Sequence, residues 1–281
     1  GVYGLILLVF AASGPQIGTR LAPVERKGVD LVFAIDVSQS MDAEDVKPNR
    51  LEKAKFEISQ MIRKLKGDRV ALVVFAGSSH LYFPLTTDYE AAQLFLDGID
   101  TKLIPTQGTD LSTAIKTGLS AFTEESEHYK VFVLVTDGED HEGTAISLAE
   151  TASSQGMIIH TVGVGTETGS LIPLIEKDGS REYKRDRQGI LVTSVLNEGL
   201  LRDIARAGDG VFVRFDNRAA SHREIMNAID TMEKRTIQSH VYAEFEDRYQ
   251  SFAFLSFLLL GVSMILPTRT KEKSTWRGRI V

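Results

Sequence analysis

Short, unbroken apolar runs alternate along this chain with longer stretches in which apolar positions recur every three or four residues. Val29–Ile35 (VDLVFAI), Arg69–Ala76 (RVALVVFA), Lys130–Thr136 (KVFVLVT) and Met157–Val164 (MIIHTVGV) are rich in β-branched residues and nearly continuous. That is the pattern of central parallel strands covered on both faces. His80–Pro84 (HLYFP) predicts a short edge strand, because Pro84 cannot donate to a ladder. Arg50–Leu65 places Leu51, Ala54, Ile58, Met61, Ile62 and Leu65 on one helical face. Asp88–Asp97, Leu111–Phe122 and Thr144–Ser154 read as further helices. A last unit runs from helix Leu200–Ala207 through strand Val211–Phe215 to helix Ser221–Lys234. Strands alternating with helices in this way predict an α/β fold, a doubly wound, mostly parallel sheet with helices on both faces.

Between Ile175 and Val195 the alternation stops. The stretch at about 176–195 is highly charged and carries two turn signals, Asp178-Gly179 and Gln188-Gly189, so a β-hairpin excursion from the sheet is expected there.

The two ends follow a different rule. Residues 2–12 (VYGLILLVFAA) are uncharged and apolar but fewer than the roughly 20 a spanning helix needs, so 1–13 reads as the end of a transmembrane helix. Residues 14–27 read as a linker and 28–238 as the main domain. Residues 249–268 form a second uncharged stretch, flanked by Arg248 and Arg269, of a length and composition that fit a membrane span. The tail 269–281 is basic, which by the positive-inside rule places it in the cytoplasm. The main domain then lies across the inner (cytoplasmic) membrane, on the periplasmic or extracytoplasmic side.

Composition narrows the chemistry. A formal charge of −6 gives no reason to expect nucleic acid as a partner. With no cysteine, disulfides, zinc–thiolate sites and thiol catalysis are excluded.

The sharpest chemical signal is Asp36-Val-Ser38-Gln-Ser40, directly after the first buried strand. Residues i, i+2 and i+4 leaving a strand can project in a common direction. In open α/β sheets ligands bind beyond the carboxyl ends of the strands. The run KVFVLVT delivers Asp137 to the same edge, and the loop Pro105–Asp110 presents Thr109 and Asp110 just before a helix. Oxygen side chains converging there suit a hard cation such as Mg²⁺, which prefers oxygen ligands. A D-x-S-x-S string alone is weak, since Asp and Ser are common turn residues. Joined to two further strand-end loops, it is specific.

This constellation resembles the von Willebrand factor A family, over roughly residues 28–235, with its Rossmann-like sheet. The resemblance implies a metal-ion-dependent adhesion site for Mg²⁺, Mn²⁺ or Ca²⁺. Ser38 and Ser40 would ligate directly, Thr109 directly or through water, and Asp36 and Asp137 through bound waters. The open position is then filled by an acidic side chain of a protein partner. The strings PQIGTRLAPVERKGVDLVFAIDVSQSM and RLEKAKFEI, with the flanking apolar segments, are similar to the Bat membrane proteins, named for aerotolerance. That likeness implies other Bat-type membrane subunits and a MoxR-type AAA+ ATPase as partners.

Other readings are weaker. Gly163-Val-Gly165 with Gly169 is not a dinucleotide fingerprint and reads as a strand-end loop. The cluster Asp137, Glu139, Asp140, His141 and Glu142 reads as a solvated loop beside the first ion, His160 as a satisfied core histidine, and Arg181, Lys184, Arg185 and Arg187 as a solvated hairpin face. A Mg²⁺-dependent phosphatase using Asp36 as nucleophile would want a second carboxylate two residues on, where this chain has Ser38. No Ser-His-Asp arrangement emerges from the six histidines, so a binding module is expected rather than an enzyme. A structural membrane scaffold without metal is the remaining alternative.

Overall fold

The computed structural model describes residues 6, 8, 9, 16–21, 28–122, 128–140, 143–175, 180–217, 221–239, 243–247 and 249–265. It divides into two units, Arg26–Thr236 and a second one made of the two ends of the chain, Gly1–Glu25 with Ile237–Val281.

In the terminal unit, strand β1 (Gln16–Leu21) pairs antiparallel with a strand at Ala243–Asp247, in register Thr19↔Phe245 and Leu21↔Ala243. Part of the expected linker 14–27 is thus a strand, whose partner lies more than 200 residues away. A helix follows at Tyr249–Ile265. At 1.5 Å per residue its 17 residues reach about 25 Å, short of the roughly 30 Å hydrocarbon core. Among the described residues no helix is long and apolar enough to cross a membrane. Of the span expected at 249–268, residues 249–265 form this helix, and residues 266–268 and the tail 269–281 lie outside the described residues. Of 1–13 only Ile6, Leu8 and Val9 are described, as helix.

The main unit grows from β2 (Val29–Asp36), whose eight residues are all buried. In a strand covered on both faces, alternate side chains serve different layers. Leu31, Phe33 and Ile35 enter one core cluster, and Val32 and Ala34 the other. β2 is flanked in parallel by β3 (Arg69–Phe75) and β5 (Tyr129–Thr136). β4 (Ser79–Thr86) closes one edge antiparallel to β3, which accommodates Pro84 as expected. β6 (Met157–Val164) and β11 (Asp209–Phe215) extend the sheet beyond β5, giving the order β11-β6-β5-β2-β3-β4.

Six helices cover the two faces. Arg50–Ile62 (α1), Tyr89–Asp97 (α2) and His222–Ser239 (α6) pack over the first cluster through residues such as Ile58, Leu96 and Ile225. Leu111–Ala121 (α3), Ala145–Ser154 (α4) and Glu198–Ala207 (α5) cover the second through Ile115, Ala149 and Ile204. Side chains that favour helix starts set the boundaries: Asn49, Asp88, Asp110 and Asn197 each accept a hydrogen bond from a first-turn backbone N–H.

The charged excursion is a hairpin-like insertion. Ser170–Leu171 (β7) pairs with Thr193–Ser194 (β10), and Pro173–Ile175 (β8) with Arg181–Tyr183 (β9), both antiparallel. Its tip turns at Asp186–Gly189, where Gly189 takes φ +81°, a left-handed angle that glycine adopts freely. The turn signal at Asp178-Gly179 falls outside the described residues.

Two packing details generate predictions. Gly118 of α3 lies on the ring of Phe132, and a Cβ there would come within 2.0 Å of it. Phe132 is fully buried and cannot yield. Gly118→Ala is expected to cost about 1–3 kcal/mol by overpacking, read as a lowered midpoint in thermal or urea unfolding, despite alanine's better helix propensity. On the other face, Glu57 is buried and accepts from Lys53 Nζ (2.7 Å), His222 N (3.0 Å) and the His222 ring at Nδ1 (2.6 Å). Burial alone raises its pKa, but the bonds from Lys53 and His222 outweigh that and hold the carboxyl below 4.5. A depressed folded pKa stabilises above the unfolded value, and that stability is lost as pH falls through the folded one. The stability difference between wild type and Glu57→Gln should therefore shrink below about pH 4.5; a difference independent of pH would contradict the network.

Candidate metal centre

The sheet order places its topological switch between β2 and β5: from β2 the chain winds through β3 to β4 on one side, then returns to build β5, β6 and β11 on the other. In open α/β sheets the crevice beyond the strands' carboxyl ends at this point is where ligands bind. Asp36 closes β2, Thr136 closes its neighbour β5, and Asp137 follows directly.

Beyond Asp36 the backbone is held to the sheet by Val37 N donating to Phe75 O (2.8 Å), then tightens into a 3₁₀ turn at Gln39–Asp42. That turn brings the Ser38 and Ser40 hydroxyls together, Oγ to Oγ 2.9 Å, both buried. Asp36 is fixed by two donors: Ser38 N to Oδ1 (2.8 Å) and Thr136 Oγ1 to Oδ2 (2.6 Å). The third loop is tied in by backbone bonds from Gly77 N to Thr106 O (3.0 Å) and Asp110 N to Ala76 O (2.9 Å). A bond from Gln39 N to Gln107 Oε1 (3.1 Å) joins it to the first loop. A side chain at Gly77 would strike Gln107 O at 2.7 Å, so this close approach requires glycine. Thr109 is buried on that loop, one residue before Asp110, which caps α3 through Thr113 N (2.9 Å).

The electrostatics follow from burial. Asp36 and Asp137 are both completely buried. Burial first, and the Asp137 charge second, push Asp36 up to about 7, against the bonds from Thr136 and Ser38 that favour the anion. Glu139 is raised for the same reasons, burial and then Asp137. Among the described residues there is no group of three or more His, Asp or Glu able to hold a metal. The donors brought together here are the Ser38 and Ser40 hydroxyls and two carboxylates, an all-oxygen set of low charge that fits a hard divalent cation. Such a cation would also answer the charge that raises Asp36.

Sequence reasoning missed the strongest partner of this site. Arg50, the first residue of α1, is fully buried. Its Nη1 donates to Asp137 Oδ2 (2.9 Å) and to Ser194 Oγ (2.6 Å), and its Nη2 to Ser194 O (3.1 Å). Nε and Nη2 form a fork on Asp45, 2.9 Å each. Burial lowers the guanidinium pKa, but the carboxylates of Asp45 and Asp137 more than restore it. Asp45 is held below the usual carboxylate range: burial opposes this, but bonds from Arg50 and Thr166 prevail.

The remaining candidates resolve individually. In the acidic cluster, Asp140 accepts from Gly143 N (3.0 Å), and His141 and Glu142 lie outside the described residues. Among the described residues His160 is only half satisfied: Nδ1 accepts from Val211 N (3.1 Å), Nε2 is buried without a partner there, and burial pushes its pKa down to about 4. Arg181 and Arg185 sit exposed on the insertion, on Glu44 and on Gly189 O, as a solvated face would. Gly163 lies within β6 and Gly165 just after it, so this pair belongs to a strand end.

The model of the von Willebrand factor type A domain matches residues 31–139, which hold the Asp36, Thr109 and Asp137 loops. A UPF0353 protein of Nocardia farcinica is 30% identical over 246 residues, covering 83% of this chain and 69% of that protein. The crystal structure of BatB from Bacteroides thetaiotaomicron shares 40% identity with a TM-score of 0.71, over 74% of this chain and 100% of that one. An aerotolerance-related membrane protein from Bacteroides fragilis gives 39% and 0.69, over 73% and 100%. The chain therefore belongs to the von Willebrand factor type A domain proteins of the Bat, aerotolerance-related family.

Proposed function

We propose that this protein is a membrane-anchored binding module, not an enzyme, which captures an acidic side chain of a protein partner on a divalent cation. Ser38, Ser40 and Thr109 would offer hydroxyl oxygens to the ion, with Asp36 and Asp137 answering its charge. When bound, the cation supplies a Lewis-acidic position that one further carboxylate can complete. The observation that carries this reading is the pair of buried carboxylates, Asp36 and Asp137, set beside two hydroxyls 2.9 Å apart. Mg²⁺ suits an all-oxygen donor set, and Mn²⁺ or Ca²⁺ would be accepted by the same chemistry. Two carboxylates leave such an ion short of neutralising ligands once Arg50 has engaged one of them.

The anchoring reading draws on the helix Tyr249–Ile265, whose apolar Phe254, Phe257 and Val262 side chains are exposed. Exposed apolar side chains on a helix want a non-aqueous solvent. With a cytoplasmic basic tail, the binding domain would face the periplasm. Its partner would be an envelope protein or another Bat-type membrane subunit, in a complex served by a MoxR-type ATPase.

The metal reading predicts a separation of stability from binding. Asp36→Asn removes a buried charge beside Asp137, so the metal-free variant should unfold at the wild-type temperature or above it. Mg²⁺ should raise the unfolding temperature of the wild type but not of Asp36→Asn. Affinity purification in mild detergent should recover the partner with Mg²⁺ and lose it with EDTA or with Ser38→Ala. Equal recovery under EDTA would sink the metal bridge. For the topology, a reporter fused after Val281 should be active only as a cytoplasmic reporter; periplasmic activity reverses the orientation.

A further inference from the structure

Arg50 leaves none of its five N–H groups unused. Nε–H and one proton of Nη2 hold Asp45, the other Nη2 proton holds Ser194 O, and the two of Nη1 hold Ser194 Oγ and Asp137 Oδ2. A buried arginine with every donor placed is a fixed positive charge, not a side chain that swings away. The packing permits little movement: at Gly165 a Cβ would lie 2.9–3.0 Å from the guanidinium. Asp45 is itself anchored by Thr166 N (2.8 Å) and Thr166 Oγ1 (2.9 Å). The charge is therefore held against one of the two carboxylates that a cation in this crevice would rely on.

A site evolved only to retain a metal gains nothing from a buried cation next to its own carboxylate, since like charges repel. The arrangement makes sense if the ion must stay electrophilic. We propose that Arg50 is a specificity-determining residue of the metal centre: held on Asp137, it leaves the bound cation under-neutralised, so that the site requires a carboxylate from outside. This rests on the metal-binding reading above and adds the partner chemistry's cause. Arg50 would weaken the affinity for the ion and strengthen the affinity of the ion-loaded site for an acidic ligand, two effects of opposite sign.

The test measures Mg²⁺ affinity of the full chain by calorimetry, with acetate as the probe carboxylate and chloride at equal ionic strength as control. Binding linkage requires that a carboxylate which completes the ion also tightens Mg²⁺ binding. Wild type should show that tightening. Arg50→Gln should bind Mg²⁺ at least about tenfold more tightly in chloride. That is a lower bound: even at the dielectric of bulk water, one charge about 6 Å from a divalent ion contributes about tenfold. Arg50→Gln with Asp45→Asn, which leaves no carboxylate without its fork but also removes a negative charge, should show a smaller tightening of the same sign. Both should lose most of the acetate effect. Arg50→Lys keeps the charge and should retain it. Ser194→Ala, which loosens the insertion but keeps the charge, should behave as wild type.

An acetate effect unchanged in folded Gln variants, or weaker Mg²⁺ binding by them, overturns the proposal while leaving the metal reading intact. Loss of fold in both Gln variants assigns Arg50 to the scaffold and overturns it as well. A wild type that binds no Mg²⁺ overturns both readings.

Discussion

Two carboxylates, Asp36 and Asp137, stand at the ends of adjacent parallel strands where water does not reach them. Burying like charges together is among the most costly arrangements a fold can hold, and the cost is relieved by protonation, hydrogen bonds or a counter-charge. All three leave traces here. Asp36 is pushed up to about 7, Thr136 and Ser38 donate to it, and Arg50 answers Asp137. The surrounding loops are arranged to tolerate this pair, whose charge a divalent cation would offset.

The rest of the fold makes that tolerance possible. The sheet is buried on both faces by three helices each, so the strand ends are fixed by cores on both sides. Val37, Gly77 and Asp110 are attached by backbone bonds that involve none of the side chains proposed as metal ligands. These backbone attachments hold the loops independently of the side chains that Asp36 and Asp137 engage.

What could be read in the sequence depended on how local the causes were. Asp36, Ser38 and Ser40 were legible because one strand end sets all three, and Asp137 because a glycine follows it at the end of a β-branched run. The edge position of Ser79–Thr86 followed from one proline. Arg50 was invisible: its partners Asp137 and Ser194 lie 87 and 144 residues away, and nothing in its own neighbourhood distinguishes it from an exposed first-turn arginine. The pairing of Gln16–Leu21 with Ala243–Asp247 was hidden for the same reason. The insertion was legible from its turns, but its base begins earlier, at Ser170, because Ser170–Leu171 needs Thr193–Ser194 as a partner. His160 shows the limit of pattern alone, since a buried strand fixes where the ring lies but not whether both nitrogens find partners.

The insertion and the crevice share one cluster of charges, and this bears on whether the site is built on demand or in advance. Ser194 lies in the insertion, Thr166 follows β6, Asp45 lies before α1, and Asp137 follows β5; Arg50 touches three of these and reaches the fourth through Asp45. With every guanidinium proton already placed, no donor is free to be recruited when a ligand arrives. Moving Asp137 would break a charge-assisted bond in a buried setting, where such bonds are strongest and hardest to replace. The acidic half of the crevice is therefore fixed by the fold itself, and a cation would find its geometry prepared.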